Sequence, residues 1–307
     1  MVELNTVLVE ELRKNGFVVK TASVDHIKEL EDEITSLKRR GALDGQFYAE
    51  NLHWLDFDYT NTVPAAKSIL VLACPQFKSR LIFEHAGQKH AAVIPPTYVY
   101  SELTSRVENI LGRVLAPRNY AFKKTKLPAK LLAVRTGLST YGRNNISYID
   151  GMGSFYRLFS FYTDMPCVED NWQEKVSMPE CSKCSVCIRA CPTGSISSGR
   201  FLIQADMCIT NFNEKEKDFP LWFNQDWPNA IVGCMKCQMV CPKNKDYIDE
   251  IESEVAFDAE ETGMILNKVP LSQLPNGLKS KLDRLDLTEY YEVIPRNMLA
   301  LIQSHKE

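Results

Sequence analysis

Residues 181–192 read Cys181-Ser-Lys-Cys184-Ser-Val-Cys187-Ile-Arg-Ala-Cys191-Pro192. Two-residue gaps allow one tight loop to turn three thiolates toward one centre, whereas the fourth cysteine, after a longer gap, points away from it. Pro192 has no amide hydrogen and directs the chain out of the loop. The stretch therefore predicts a loop wrapped around an inorganic cluster, with its last cysteine left to serve a second cluster.

A second cysteine motif lies further along the chain. It reads Cys234-Met-Lys-Cys237-Gln-Met-Val-Cys241-Pro242 and has only three cysteines, while Cys208 stands alone between the two motifs. Together the motifs resemble the C-x2-C-x2-C-x3-C-P runs of bacterial ferredoxins, in which the last cysteine of a run ligates the other cluster. We therefore predict two [4Fe–4S] clusters, one held by Cys181, Cys184, Cys187 and Cys241, the other by Cys191, Cys208, Cys234 and Cys237.

Zinc is the alternative occupant, because C-x2-C pairs also bind zinc. A zinc site closes at four ligands and does not need C-x3-C-P twice, so the pattern favours iron–sulfur clusters. Two cysteines lie outside the set. Cys74 sits in an apolar run and is expected to be a buried thiol that packs, and Cys167 follows Pro166 with no assigned role.

Length and charge set the broad class of protein. A chain of 307 residues suggests about two domains of roughly 150 residues each. The net charge of -3 gives no global basic footprint for nucleic acid or membrane. The N-terminus lacks a basic segment followed by an apolar core, and no apolar run is long enough to span a bilayer. We therefore expect a cytoplasmic protein with no membrane partner.

Hydrophobic periodicity predicts the secondary structure in outline. Helices are expected at 3–15, 24–40, 99–115 and 127–136, with Gly137 at a helix C-cap, and strands at 17–22, 68–73 and 156–162. Residues 42–66 look irregular, 249–261 look like a solvated acidic stretch, and 270–303 like two short helices. The fold class is α+β. Residues 1–175 are expected to form a sheet flanked by helices that binds cofactor and substrate, 176–250 a double-cluster ferredoxin module, and 251–307 a short helical tail.

One block upstream of the cysteines resembles a known family. It reads Ala133-Val-Arg-Thr-Gly137-Leu138-Ser-Thr-Tyr-Gly142-Arg143-Asn144-Asn145 and is similar to the A-x-R-x-G-L-G-x-x-G-[KR]-N segment of epoxyqueuosine reductases and the related reductive dehalogenases. Gly153-Ser154, Thr163-Asp164 and the solitary Cys208 extend the resemblance. It implies a reductase that binds cobalamin base-off and draws electrons from the clusters, supplied by a low-potential donor such as ferredoxin or flavodoxin. The cofactor contacts that it implies are Gly137, Leu138, Gly142, Arg143, Asn144, Gly153 and Ser154.

The chain also departs from the epoxyqueuosine reductase pattern. Lys123 stands where that family carries an aspartate proton donor, Ser139 replaces the second glycine of G-L-G, and the C-terminal helical repeat used for tRNA is reduced. We therefore expect a small organic substrate and regard tRNA as an unlikely partner. Because the dehalogenases use a tyrosine with a basic neighbour, the residues proposed for catalysis are Tyr98, Tyr141, Lys123 and Arg157.

Two other functions stay open at this point. The chain is an electron-transfer protein without its own substrate if the N-terminal part has lost the corrinoid. It is a tRNA epoxyqueuosine reductase if the proton donor has been rearranged. Retention of the Gly-Arg-Asn block argues against the first, and the missing aspartate argues against the second.

Overall fold

The computed structural model describes residues 2–304 and is a mixed helix and sheet structure, as predicted. The helices are α1 Val2–Lys14, α2 Ile27–Arg39, α3 Gly45–Asn51, α4 Ser101–Leu115, α5 Ala129–Arg135, α6 Val186–Ala190, α7 Ile209–Asn213, α8 Lys236–Met239, α9 Ala259–Leu266, α10 Asn276–Arg284 and α11 Ile294–Ser304. The strands are β1 Val18–Ser23, β2 Ser68–Pro75, β3 Lys78–His85, β4 Gln88–Ile94, β5 Phe122–Lys124, β6 Thr140–Tyr141, β7 Ser147–Tyr148, β8 Tyr156–Thr163 and β9 Ile251–Phe257. Within this part of the chain, no helix has the length and apolar character needed to cross a membrane.

The chain divides into two compact units that interleave along the sequence. The first unit comprises Met1–Pro75, Glu102–Ser185 and Ser198–Ile203, and the second comprises Gln76–Ser101, Val186–Ser197 and Gln204–Glu307. The boundary between Ser185 and Val186 falls inside the first cysteine motif. The division into 1–175, 176–250 and 251–307 stays a prediction.

The first unit is built on a four-stranded sheet with the order β1-β2-β8-β5, in which all neighbours are antiparallel. Alternate residues of a strand face opposite sides, and both faces of β2 are apolar. Leu70 and Leu72 pack with α1 and α4, whereas Ile69 and Val71 pack with α2 and α5. Helices therefore cover both faces of the sheet, and the predicted strands and helices of this region are confirmed.

Residues 42–66 are less irregular than predicted. Asp44 accepts a hydrogen bond from the Phe47 amide at 2.7 Å and caps the seven-residue helix α3. The helix has no buried residue. A helix this short and this exposed leaves no apolar stripe in the sequence, which is why the pattern did not reveal it.

The second unit contains a three-stranded sheet with the order β4-β3-β9. Ala86 and Gly87, with φ of 51° and 77°, form the turn of the β3–β4 hairpin. The expectation that 249–261 is solvated is wrong, because β9 pairs with β3 in parallel and buries Val255 and Phe257. Its acidic residues occupy alternate positions that face away from the core.

The C-terminal helices complete this unit. The two helices expected in 270–303 are confirmed as α10 and α11, and α9 precedes them with a capping box between Asp258 and Glu261. Their apolar faces, represented by Leu282 and Met298, lie in one core cluster with Phe83 and Phe257. The C-terminal segment is therefore an integral part of a folded core.

Candidate functional site

Three cysteines of the second unit that are far apart in sequence interact electrostatically, while the described residues contain no group of three side chains already set to hold a metal ion. Cys208 and Cys234 are partly exposed, but burial around their sulfur atoms raises the pKa of both thiols, to about 12 for Cys234, and the charge of Cys191 raises both further. The backbone amides of Thr210 and Lys236 donate hydrogen bonds to these sulfur atoms. Such a group of thiols suits iron ligation, and amide donors to the sulfur atoms tune the potential of a cluster.

A buried polar network holds the chain on both sides of these cysteines. Asn213, on the helix that follows Cys208, donates to the carbonyls of Ala230 at 3.2 Å and Gly233 at 2.9 Å. Asn297 donates to the carbonyls of Ile231 at 2.8 Å and of Asn213 at 2.9 Å. Both side chains are fully buried. These hydrogen bonds fix the backbone of residues 230–233, which immediately precede Cys234.

The sequence did not reveal these asparagines. Asparagine has no characteristic ligand spacing, and Asn297 is separated in the chain from the cysteines that it helps to position. The one feature of the sequence that could have indicated a role for Asn213 is its position shortly after the solitary Cys208. Residues such as Asn297 reach the cysteine-bearing segment only in the folded protein, so their contribution cannot be predicted from local sequence.

The remaining predicted ligands divide between the units. Cys181 and Cys184 belong to the first unit and are partly buried. Cys187, Cys237 and Cys241 belong to the second, and Cys187 is buried. Cys74 is 2% exposed and packs in a core cluster, as expected.

The family-like block begins where α5 ends. Gly137 has a left-handed φ of 66°, its amide donates to the Val134 carbonyl at 3.1 Å, and the Leu138 amide donates to the Ala133 carbonyl at 2.9 Å. These bonds form a Schellman motif, and the predicted C-cap is confirmed. Ser139 is not among the residues with positive φ, so a side chain is tolerated where the resembled family has glycine.

The rest of the block is a hairpin formed by β6 and β7. Its loop is closed by a hydrogen bond of 2.8 Å from the Gly142 amide to the Ile146 carbonyl. Asn144 is 3% exposed and donates to the Tyr148 hydroxyl at 2.9 Å. A Cβ atom on Gly142 would lie 2.6 Å from Cε2 of Tyr148, so only glycine allows this close approach. Further along, Gly153 has a φ of 57° and pairs with Ile149, and Ser154 is buried.

The hairpin is joined directly to the first cysteine motif. The Tyr141 amide donates to the Val176 carbonyl at 2.9 Å, and the Met178 amide donates to the Tyr141 carbonyl at 2.8 Å. Arg143 then reaches the carbonyl of Cys181 through Nε at 3.1 Å and through one terminal nitrogen. Two backbone bonds and a forked guanidinium contact thus fix the Cys181 loop against the block.

The same loop offers a hydrogen-bond donor suited to a bound polar group. Nδ2 of Asn145 is shielded from solvent, and no acceptor within the described residues lies at hydrogen-bonding distance from it. A buried donor without a partner is destabilising unless a ligand or water satisfies it. The observation fits a polar cofactor at this loop. The side chains of Arg143 and Asn144, by contrast, are engaged within the protein.

The proposed catalytic residues lie in different places. Tyr141 is 6% exposed, and burial raises its pKa. Arg157 shares a face of β8 with Phe159 and Phe161, which pack with α1 and α4, whereas Tyr141 packs with α2 and α5 on the other side of the sheet. The first unit therefore does not bring Tyr141 and Arg157 together.

Lys123 and Tyr98 differ in exposure. Lys123 is exposed on β5, the edge strand of the first unit. Tyr98 is buried in the second unit, donates its hydroxyl to Glu214, and approaches Gly233 so closely that a Cβ there would lie 2.5 Å from the hydroxyl. Burial raises the pKa of both Tyr98 and Glu214.

Comparison with known proteins agrees with the cysteine pattern. Residues 180–244 match the family described as a 4Fe-4S double cluster binding domain. This span contains all eight predicted ligands, and the prediction of two [4Fe–4S] clusters is confirmed.

Curated relatives and several solved structures that resemble this chain are epoxyqueuosine reductases. The chain is 34% identical over 114 residues to an epoxyqueuosine reductase of Cyclobacterium marinum, which covers 37% of this chain and 36% of the relative. A selenomethionine-labelled epoxyqueuosine reductase has a similar structure, with a TM-score of 0.71, 19% identity, and coverage of 99% of this chain and 82% of that chain. The match in sequence spans about a third of the curated relatives' length, whereas the match in fold spans nearly this whole chain. The predicted resemblance to epoxyqueuosine reductases is confirmed.

One expectation from the sequence is wrong, namely a small organic substrate with tRNA as an unlikely partner. The curated relatives are epoxyqueuosine reductases, and a solved structure of this fold contains an epoxyqueuosine-modified tRNA-Tyr stem loop, with a TM-score of 0.69, 20% identity, and coverage of 99% of this chain and 82% of that chain. The expectation rested partly on a C-terminus interpreted as a short tail. In the structure that segment supplies a strand and three helices to a folded core.

Proposed function

We propose that this relative of the epoxyqueuosine reductases reduces epoxyqueuosine in tRNA, using two [4Fe–4S] clusters and a bound cobalamin. The observation that carries the proposal is the agreement of the match in sequence with the match in fold. Sequence identity of about a third over 114 residues and a shared fold over 99% of the chain both lead to proteins of that name.

The eight cluster ligands in this proposal are the seven cysteines of the two motifs together with Cys208. The electrostatic interaction of Cys191 with both Cys208 and Cys234 supports a common centre for these three. Cys237 completes that set, and Cys181, Cys184, Cys187 and Cys241 hold the other cluster. Each cluster passes one electron at a time.

Cobalamin binding is assigned to the glycine-rich block from Gly137 to Ser154. The corrinoid supplies the strongly reducing chemistry that removes oxygen from an epoxide. The Schellman turn at Gly137 and the tight Gly142 loop give this segment a fixed backbone, and Asn145 offers a buried amide donor. Arg143 acts by fixing the Cys181 loop beside the block.

Reduction of an epoxide to an alkene consumes two electrons and two protons and releases water, so the protein must also supply a proton. Of the four residues proposed for catalysis, Tyr141 directly precedes Gly142, and its hydroxyl carries a proton at neutral pH, although burial raises its pKa and makes it a weaker acid. Lys123 is the alternative donor at the place where the resembled family has aspartate. Arg157 is less favoured because it lies on the face of the sheet opposite Tyr141, and Tyr98 because its buried hydroxyl donates to Glu214.

The test is anaerobic turnover of epoxyqueuosine-containing tRNA by protein loaded with iron and cobalamin. Nucleoside mass spectrometry should show loss of one oxygen from the modified base, and a full complement of about eight irons per chain is expected. Tyr141→Phe should lower the rate constant at saturating tRNA by about 10²-fold or more, with tRNA affinity retained. Loaded protein that binds this tRNA and leaves the epoxide intact would exclude the proposed activity. If Lys123→Ala abolishes turnover while Tyr141→Phe does not, the proton donor is Lys123.

A further inference from the structure

Two side chains of opposite charge act on predicted ligands of one cluster in the second unit. Burial raises the pKa of the Cys208 thiol, and the negative charge of Glu214 raises it further. Burial also raises the pKa of the Cys234 thiol, but the positive charge of Lys236 lowers it. The field of a carboxylate therefore reaches one ligand, and the field of an ammonium group reaches the other.

Glu214 is held by a hydrogen bond to its carboxylate. The residue directly follows α7, which begins after Cys208, and the hydroxyl of Tyr98 donates to Oε1 of Glu214. Burial raises the pKa of Glu214, whereas this hydrogen bond lowers it by favouring the ionised form. Burial and the charge of Glu214 in turn raise the pKa of Tyr98 well above its usual range, so the hydroxyl remains a donor.

Packing fixes the direction of the Tyr98 hydroxyl. Tyr98 is 8% exposed, and its ring meets that of Tyr290 edge-on, with centroids 5.3 Å apart. Its other neighbour is Gly233, which directly precedes Cys234 and has a φ of 72°. A Cβ atom on Gly233 would lie 2.6 Å from Cε2 of Tyr98. The tyrosine that holds Glu214 is therefore itself fixed against the backbone of the cysteine-bearing segment.

We infer that Glu214 lowers, and Lys236 raises, the reduction potential of one [4Fe–4S] cluster. It is the cluster proposed to be ligated by Cys208 and Cys234, and the inference rests on that assignment. Reduction adds one electron to the cluster, makes its net charge more negative, and neither forms nor breaks a covalent bond. A fixed carboxylate opposes the added electron and an ammonium group favours it, most strongly where protein excludes water. The lower potential that Glu214 imposes makes the reduced cluster a stronger reductant for the proposed reaction.

The experiment is a redox titration of the anaerobic holoprotein with dithionite, without tRNA, in which EPR spectra give a midpoint potential for each cluster. Glu214→Gln keeps the shape of the side chain and an acceptor for Tyr98 but removes the charge. It should raise one of the two midpoints. At a fixed potential the ratio of reduced to oxidised cluster should then increase at least about tenfold, which is about 59 mV for a one-electron couple. Lys236→Gln should lower the same midpoint, and neither variant should move the other one.

Two further variants serve as controls. Glu216→Gln is matched to Glu214→Gln, because Glu216 lies on the same segment but is exposed, where solvent screens its charge, and both midpoints should stay at the wild-type values. Tyr98→Phe keeps the ring against Gly233 and removes the donor that favours the ionised carboxylate. It should therefore shift the midpoint in the same direction as Glu214→Gln. All midpoints are compared at the iron content of wild type, which separates a change of potential from loss of a cluster.

Three outcomes decide the inference. Unchanged midpoints in Glu214→Gln at full iron content overturn it. Shifts of the same sign in Glu214→Gln and Lys236→Gln also overturn it, because a general disturbance of the structure has no sign that follows charge. If Glu214→Gln loses iron, Tyr98→Phe and Lys236→Gln decide, since opposite shifts support the inference and unchanged midpoints overturn it. Because the readout is a potential measured without tRNA, failure here is distinguishable from failure of the proposed tRNA reaction, which is read on the nucleoside.

Discussion

Replacement of Gly142 by alanine tests whether the glycine-rich hairpin is as tightly built as the structure indicates. The new Cβ atom would lie 2.6 Å from Cε2 of Tyr148 and 2.7 Å from Oδ1 of Asn144. Neither neighbour can move away freely, because both are buried and Asn144 donates a hydrogen bond to the Tyr148 hydroxyl. The substitution therefore forces the hairpin itself to shift.

The expected loss of stability has two parts. Overpacking of a buried site costs about 1–3 kcal/mol. Disruption of the buried bond between Asn144 and Tyr148 adds about 1 kcal/mol. The free energy of unfolding should therefore fall by about 2–4 kcal/mol, a large fraction of the 5–15 kcal/mol that is typical of a domain.

The assay is urea unfolding of the anaerobic holoprotein, followed by far-UV circular dichroism. Gly112→Ala in α4 is the matched control, because its Cβ would meet only Cζ of Phe122 at 4.0 Å. In a helix interior that change should stabilise by about 0.5–1 kcal/mol. If Gly142→Ala unfolds within about 0.5 kcal/mol of wild type, the close approach of Gly142 to Tyr148 does not constrain the loop, and the packing argument is refuted.

Three further predictions follow from the described contacts. Phe257→Ala should lower the free energy of unfolding by about 3–5 kcal/mol, and Glu254→Ala on the same strand by less than about 0.5 kcal/mol; equal effects in urea unfolding would contradict the burial of β9. Asn213→Ala should lower the iron content measured after anaerobic purification, whereas the exposed Asn267→Ala should keep it; full iron in both would show that the asparagine network is dispensable for the cluster. Burial lowers the pKa of His26, but hydrogen bonds to Glu29 and Asp170 outweigh burial and raise the pKa. The stability that these bonds contribute is therefore complete below about pH 6.5, the pKa of histidine in the unfolded chain. It is lost as the pH rises through the raised pKa of the folded state. His26→Gln should therefore remove part of the pH dependence of stability in that window, and an unchanged profile would show that the ion pairs contribute nothing.

The first unit shows how much local pattern can predict. The continuous apolar run at Ser68–Ala73 required a strand buried on both faces, and the amphipathic helices around it needed a sheet to cover. These interactions depend on the periodicity of neighbouring residues, so they could be predicted without knowledge of the fold. The strand at 251–257 was not predicted, because its alternating acidic residues are also typical of a solvent-exposed segment. Its pairing with β3 joins residues that are distant in sequence, which the local pattern does not show.

The sequence by itself determined the clusters, because cubane ligation requires thiolates at short, repeated spacings, and this requirement is visible in Cys181–Pro192 and Cys234–Pro242. It also determined the family resemblance, through the spacing of Gly137, Gly142 and Arg143 in the block. Only the tertiary structure decided how Asn213 and Asn297 hold the approach to Cys234, how Arg143 reaches the carbonyl of Cys181, and that Arg157 lies on the face of the sheet opposite Tyr141. These relations join residues that are far apart in the chain, and a hydrogen bond or a shared face between such residues leaves no periodic trace in the sequence.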